Sequence, residues 1–221
     1  MATTTRDYAA EREAMVERQL KSRGISEKMI LDAFREVPRE CFVSQEYAHL
    51  AYGDHPLPIE ANQTISQPYI VALMIQAAGI GLRDNVLEVG AGSGYAAAVI
   101  SRIAGKVIAI ERQHDLIEVA RERMQRLGFD NVEIVEGDGT KGWPDEAPYD
   151  AILAAASGSH VPQALVAQLA PGGRIVMPIG RPGWAQELVK LTKQEDGTLK
   201  QENLGGVRFV PLIGEEGWKD A

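Results

Sequence analysis

The chain contains one cysteine, Cys41. No intrachain disulfide can form, and no cysteine-rich zinc site exists. Between Glu40 and Phe42 it reads as a small buried hydrophobe rather than a nucleophile. Basic charge is also scarce: 23 Lys and Arg stand against 31 Asp and Glu, a net charge of −8. Nucleic-acid binding needs a basic surface, so no nucleic-acid partner is expected. No apolar run is long enough to cross a bilayer, and Met1-Ala2-Thr3-Thr4-Thr5-Arg6-Asp7 lacks the apolar core of a secretion signal. A soluble cytoplasmic protein with no membrane partner is the resulting expectation. His49 and His55 lie far from other metal-ligand types, so they read as hydrogen-bonded loop residues and no metal site is expected. Internal repeats and low-complexity tracts are absent. What remains is 221 residues, 45% hydrophobic, enough for one α/β domain with a real core.

That domain is organised around Val86-Leu87-Glu88-Val89-Gly90-Ala91-Gly92-Ser93-Gly94-Tyr95-Ala96. Val86, Leu87 and Val89 read as an interior parallel strand. Gly90, Gly92 and Gly94 form a turn that a ligand can approach closely. Ala96 to Ile100 begin a small-residue helix suited to tight packing on a sheet. The spacing G-x-G-x-G differs from the G-x-G-x-x-G dinucleotide fingerprint. With Glu88 inside it, the motif resembles motif I of the class I S-adenosylmethionine-dependent methyltransferases.

Before this turn, residues 7–23 read as a polar helix with the apolar stripe Tyr8, Met15, Val16 and Leu20, ended by Gly24. Ser26 is expected to cap a second helix with Met29, Ile30, Ala33, Phe34 and Val37 on its apolar face, stopped by Pro38. The two form an appendage, expected to cover the sheet edge, with a substrate-facing role as the weaker alternative. Residues 39–67 read as an ordered but irregular loop. A helix over 69–78 follows, with Ile70, Leu73, Met74 and Ala77 facing inward.

After the turn, Lys106–Ile110 reads as a strand ending at Glu111, placed to accept from both hydroxyls of a ribose. A helix over 113–127 and a strand over 132–135 lead to Gly137-Asp138-Gly139. Asp138 lies where α/β folds bind ligands and could accept from an adenine amino group, or simply form a turn. Residues 149–154 form a fourth strand. Val161-Pro162-Gln163 opens a helix through Leu169, and Gly172-Gly173 leads into a strand over 174–178. Two further strands, 187–191 and 201–210, flank a turn at Glu195-Asp196-Gly197. The pattern predicts a doubly wound, mostly parallel α/β sheet, Rossmann-like, with an antiparallel C-terminal hairpin.

Four stretches make the whole chain resemble the protein-L-isoaspartate (D-aspartate) O-methyltransferases. They are Val37-Pro38-Arg39-Glu40 through Asp54, Pro56-Leu57-Pro58-Ile59 through Gln63-Thr64-Ile65-Ser66-Gln67-Pro68-Tyr69, Gly137-Asp138-Gly139 with Ala147-Pro148-Tyr149-Asp150, and a C-terminal group. The last comprises Pro162-Gln163-Ala164-Leu165, Leu169 to Arg174, and Val207-Arg208-Phe209-Val210-Pro211-Leu212. The 63–68 stretch is the most specific.

The resemblance implies a cytosolic repair enzyme that methylates the α-carboxylate of isoaspartyl residues in damaged proteins and peptides. S-adenosyl-L-methionine would be the donor and S-adenosyl-L-homocysteine the product. It implies cofactor contacts at Gln63, Thr64, Ile65, Ser66, Glu88, Gly90, Gly92, Gly94, Glu111, Asp138 and Gly139. Substrate contacts are expected at Thr64, Ser66, Val210 and Leu212, with Ser66 as the functional serine. The implied layout is N-terminal helices and substrate loop over 1–68, a cofactor core over 69–180 and a hairpin with tail over 181–221, acting as a monomer. Departures from the family pattern are Glu60 and Asn62 in place of glycines, Ile213 in place of a threonine, and the stretch 155–160 in place of an alanine-proline pattern.

A sulfonium methyl is already electrophilic, and a carboxylate is ionised at pH 7, so no strong general base is required. Alignment is the remaining task. The Ser66 hydroxyl is expected to orient the acceptor and also to cap the following helix. Three rival readings are a small-molecule or RNA methyltransferase, a nicotinamide-dependent oxidoreductase, and a non-catalytic peptide-holding adaptor. The 63–68 stretch, the glycine spacing, and the joint presence of Thr64, Ser66 and Asp138 weigh against them in turn.

Overall fold

The computed structural model describes residues 6–219. The Met1–Thr5 part of the N-terminal stretch and the last two residues of the tail lie outside the described residues. Nine strands are present among those described. A short hairpin pairs β1 (Leu57–Pro58) with β2 (Thr64–Ile65). The other seven form one sheet: β3 (Asn85–Val89), β4 (Lys106–Glu111), β5 (Val132–Glu136), β6 (Tyr149–Ala154), β7 (Leu169–Ile179), β8 (Gln186–Lys193) and β9 (Leu199–Val207). Their order is β5-β4-β3-β6-β7-β8-β9. The first five run parallel, and β8 and β9 close the edge as an antiparallel meander. This is the mostly parallel sheet with a C-terminal hairpin that the alternation of elements predicts.

Side-chain alternation divides the core. Val86, Val107 and Ala109 join a cluster beneath the main helices, while Leu87, Val89, Ile108 and Ile110 face the other side. The first face carries α1 (Tyr8–Met15), α2 (Lys28–Glu36), α3 (Pro68–Ala78), α4 (Tyr95–Ser101) and α5 (His114–Leu127). The second is covered by α6 (Gln163–Ala167) with Trp143, Val161 and Leu212.

Several local expectations are corrected. The first helix is α-helical only to Met15, then widens to a π-turn over Val16–Leu20 and tightens over Lys21–Arg23. Ser26 does not cap α2. Its N–H is taken by the Gln76 side chain from α3, and Glu27 occupies the cap position without a side-chain bond. Met29 is exposed, and Leu31 is buried in its place. On α3 the buried residues are Pro68, Val71, Ala72, Met74, Ile75 and Ala78. Ile70, Leu73 and Ala77 are only partly covered. That helix is apolar on nearly every side, so periodicity alone cannot choose its inner face. The helix opened by Pro162 ends at Ala167, and Leu169 already belongs to β7.

The N-terminal helices do more than cover an edge. The Phe34 and Phe42 rings pack edge-on against Tyr95, at 6.1 and 5.4 Å, bracing the first residue of α4 from behind. Cys41 packs partly buried against the core, as expected of a small hydrophobe. His49 and His55 bond to the backbone carbonyls of Glu46 and Pro56.

Candidate active site

A cavity of about 640 Å³ opens at the carboxyl ends of β3 and β4, where ligands bind in wound α/β sheets. Its floor is the glycine turn. Gly90, Gly92 and Gly94 all have positive φ, at 90, 53 and 85°. A side chain at any of the three would be strained. The N–H groups of Gly90 and Ala91 both reach the Ile110 carbonyl, at 2.9 and 3.0 Å, and so lock the turn onto β4.

Three acids stand around this floor. Glu88 is 2% exposed, lines the cavity, and leaves Oε2 without any partner. Burial, aided by the nearby Glu111 carboxylate, raises its pKa well above the usual carboxylate range. Glu111, at the tip of β4, accepts from the N–H of Gly92 at 2.9 Å, of Arg112 at 2.8 Å and of Gln113 at 3.0 Å. A carboxylate accepts about four hydrogen bonds, so about one position remains for a ligand. Asp138 lines an adjoining cavity of about 440 Å³, whereas its neighbours Gly137 and Gly139 line the main one. Its carboxylate already accepts from the Thr140 N–H and hydroxyl and from the Glu215 N–H. Burial works to raise its pKa, but these bonds outweigh burial and hold it below the usual range.

The opposite wall is the β1–β2 hairpin. Gln63, Thr64, Ile65 and Ser66 all line the cavity. Ala61 and Asn62 turn the chain with φ of 53 and 55°, a geometry asparagine tolerates better than alanine. Glu60 reaches Arg123 on α5 at 3.0 Å, and Arg123 also donates to the Ser93 carbonyl in the glycine turn. The residue standing in a glycine position thus ties the hairpin to the cavity floor. Ser66 does not cap α3: Gln67 holds the cap position, and no side chain closes it. The serine hydroxyl makes no bond to the helix start. Its carbonyl accepts from Arg39 at 2.8 Å.

The third wall is the segment 207–213. Val210 and Leu212 both line the cavity, the first 38% exposed at the rim and the second buried. Ser157, in the stretch that departs from the family pattern, holds them. Its N–H donates to the Val210 carbonyl, and its own carbonyl accepts from Leu212 and from the Trp218 indole. Gln186, 1% exposed, acts as a missing strand. Its amide donates to the Phe209 carbonyl and the Ser157 hydroxyl and accepts from the Phe209 N–H.

The structure therefore brings together every expected site residue except two: Asp138, which sits one lobe away, and Gly94, which faces Met124 and Ala120 of α5 rather than the cavity. Sequence reasoning missed Tyr95 and Trp218 on the cavity wall. It also missed Arg39, Arg123 and Gln186 behind that wall. Gln186 carries no local signal, while Arg39 stood in view inside Val37-Pro38-Arg39-Glu40.

Residues 10–217 match the family model described as Protein-L-isoaspartate(D-aspartate) O-methyltransferase. The chain is 52% identical over 213 residues to protein-L-isoaspartate O-methyltransferase 2 of Pelobacter propionicus, covering 96% of this chain and 95% of that one. It is 54% identical over 205 residues to a protein-L-isoaspartate O-methyltransferase of Rhodopseudomonas palustris, covering 93% and 94%. A solved structure named protein-L-isoaspartate O-methyltransferase superposes with a TM-score of 0.84 at 33% identity, over 93% of this chain and 66% of that longer one. A Plasmodium falciparum structure described in the same terms, in complex with S-adenosyl-L-homocysteine, superposes with a TM-score of 0.79 at 27% identity, over 91% and 98%. The chain belongs to the protein-L-isoaspartate O-methyltransferase family.

Proposed function

We infer that this protein transfers a methyl group from S-adenosyl-L-methionine to the free α-carboxylate of L-isoaspartyl residues in damaged proteins and peptides, with S-adenosyl-L-homocysteine as product. One observation carries the reading: the glycine-turn cavity is walled on its far side by the Gln63–Ser66 hairpin, so donor and acceptor meet in one space. The donor fits. An orphaned buried carboxylate oxygen on Glu88 suits its ammonium group, and the open turn at Gly90 and Gly92 admits close backbone approach. When bound, the donor supplies an electrophilic sulfonium methyl.

The remaining work falls to the chain. Glu88 would hold the donor's ammonium group, and Glu111, with its free acceptor position, a ribose hydroxyl. Gly139 would border the adenine, and Asp138, bonded to the Thr140 and Glu215 N–H groups, would shape that end. Thr64 and the Ser66 hydroxyl would orient the acceptor carboxylate, with Val210 and Leu212 beside it. The acceptor is ionised at neutral pH, so no side chain needs to remove a proton. Holding nucleophile and methyl in line can supply roughly 7–11 kcal/mol. Polypeptide is the favoured acceptor over nucleic acid because the net charge is −8. A monomer in the cytoplasm remains our proposal. Among the described residues no helix is long and apolar enough to cross a membrane.

Labelled methyl transfer to matched isoaspartyl and aspartyl peptides tests this reading. Label on the isoaspartyl peptide alone supports it. Equal labelling of both, or of neither, overturns it.

A further inference from the structure

Arg39 is the largest fully buried side chain of the molecule, 0% exposed among the described residues. A buried cation is ordinarily paired with an acid, because removing its charge from water is costly. Arg39 has no such pair. Its Nε donates to the Ala51 carbonyl and its Nη2 to the Ser66 carbonyl, both at 2.8 Å. Its remaining polar neighbour is the Tyr95 hydroxyl, a neutral group. The adjacent acid, Glu40, is bonded instead to the Tyr52 hydroxyl. The guanidinium lies 4.7 Å from the centre of the Tyr95 ring, which softens its burial but does not neutralise it. Arginine keeps its charge even in such a setting.

The location explains what this charge is for. Ser66 and Tyr95 both line the cavity, and Arg39 touches both from behind. Glu88 and Glu111 line the same cavity from the strand ends, and neither is bonded to Arg39. Arg39 thus puts a cation without an acidic partner behind the junction of the acceptor loop, at Ser66, and the start of α4, at Tyr95. An isoaspartyl acceptor arrives as an anion and leaves as a neutral methyl ester. A fixed positive charge attracts the first and not the second.

We propose that Arg39 is a positioning residue for the methyl acceptor. It fixes the Ser66 main chain and supplies the charge that favours a bound carboxylate over the ester formed from it. This rests on the reading of the site given above, and labelling of an isoaspartyl peptide by the wild-type protein tests that reading separately.

The test uses initial-rate kinetics with an isoaspartyl peptide, and calorimetry with S-adenosylhomocysteine, on wild type, Arg39→Lys and Arg39→Gln. In Arg39→Gln the peptide KM should rise about ten-fold or more, while S-adenosylhomocysteine binding stays within about two-fold. Arg39→Lys, which keeps the charge but loses the planar fork, should recover most of the peptide KM with a lower kcat. Peptide KM and S-adenosylhomocysteine affinity worsening together would mark a merely structural residue and overturn the proposal. So would an unchanged KM in Arg39→Gln, or Arg39→Lys as impaired in KM as Arg39→Gln. Should Arg39→Gln fail to fold, the wild type decides alone. The same peptide with its α-carboxylate replaced by a carboxamide should bind about ten-fold or more weakly than the acid. Equal binding of the two overturns the proposal.

Discussion

The two ends of the cavity are built by different means. The donor end follows from chain continuity: β3, the Gly90–Gly94 turn and α4 succeed one another, and the ladder to β4 brings Glu111 alongside. The acceptor end is assembled from distant segments. Arg39 holds Ser66, Arg123 holds Glu60, and Gln186 with Ser157 holds the segment from Phe209 to Leu212. Backbone ladders position the first and a few buried side chains position the second. Substitutions at the donor end should therefore change donor affinity, and those at the acceptor end should change peptide constants alone.

The largest effect is expected at Glu88. Losing its charge-assisted contact in Glu88→Gln should weaken S-adenosylhomocysteine binding about 10- to 100-fold by calorimetry. The same change should raise the melting temperature of the ligand-free protein at pH 8. The folded pKa of Glu88 lies above its unfolded value. The folded state therefore holds a proton that the unfolded state releases, and stability falls as pH rises from the ordinary carboxylate range toward the folded pKa. Thermal melts between pH 5 and 8 should show that decline in wild type and a flatter profile in the variant.

Next in size is Ser66→Ala, expected to lower kcat about ten-fold with S-adenosylhomocysteine affinity nearly intact. Gln186→Leu leaves the Phe209 N–H and carbonyl without their partner, at about 1–3 kcal/mol for each buried group. A lower melting temperature and a several-fold higher peptide KM should follow. The smallest kinetic effect belongs to the Glu60–Arg123 pair, and it is sharpened by an asymmetry. Arg123 is 8% exposed and Glu60 34%. Glu60→Leu strands a buried charge and should cost about 2 kcal/mol in denaturant unfolding, whereas Arg123→Met should cost under about 1 kcal/mol. Equal losses would show that the pair does not anchor the hairpin.

The same contrast explains what could be read in advance. The parallel strands, the glycine turn and the C-terminal meander were legible because their apolar runs and turn residues are local. Glu111 was legible by its position at the tip of a strand, whereas Glu88 and the Gln63–Ser66 stretch were legible through the resemblance to the family. The geometry of residues 57–66 was not, since Glu60 is held by Arg123 and the Ser66 carbonyl by Arg39, both from other parts of the chain. Capping assignments failed for a related reason. Ser26 and Ser66 both stand where a cap would suit, but at Ser26 a tertiary bond from Gln76 sets the local chain, and the Ser66 carbonyl is drawn to Arg39. The role of Asp138 was obscured by the Glu215 segment, far away in sequence, whose N–H occupies part of its carboxylate.

Initial-rate analysis in both substrates, run side by side on Glu88→Gln and Ser66→Ala, tests the division most directly. The account predicts a raised KM for S-adenosylmethionine in the first variant only, and a lowered kcat on an isoaspartyl peptide with unchanged donor KM in the second. Both variants shifting the same constant would contradict it.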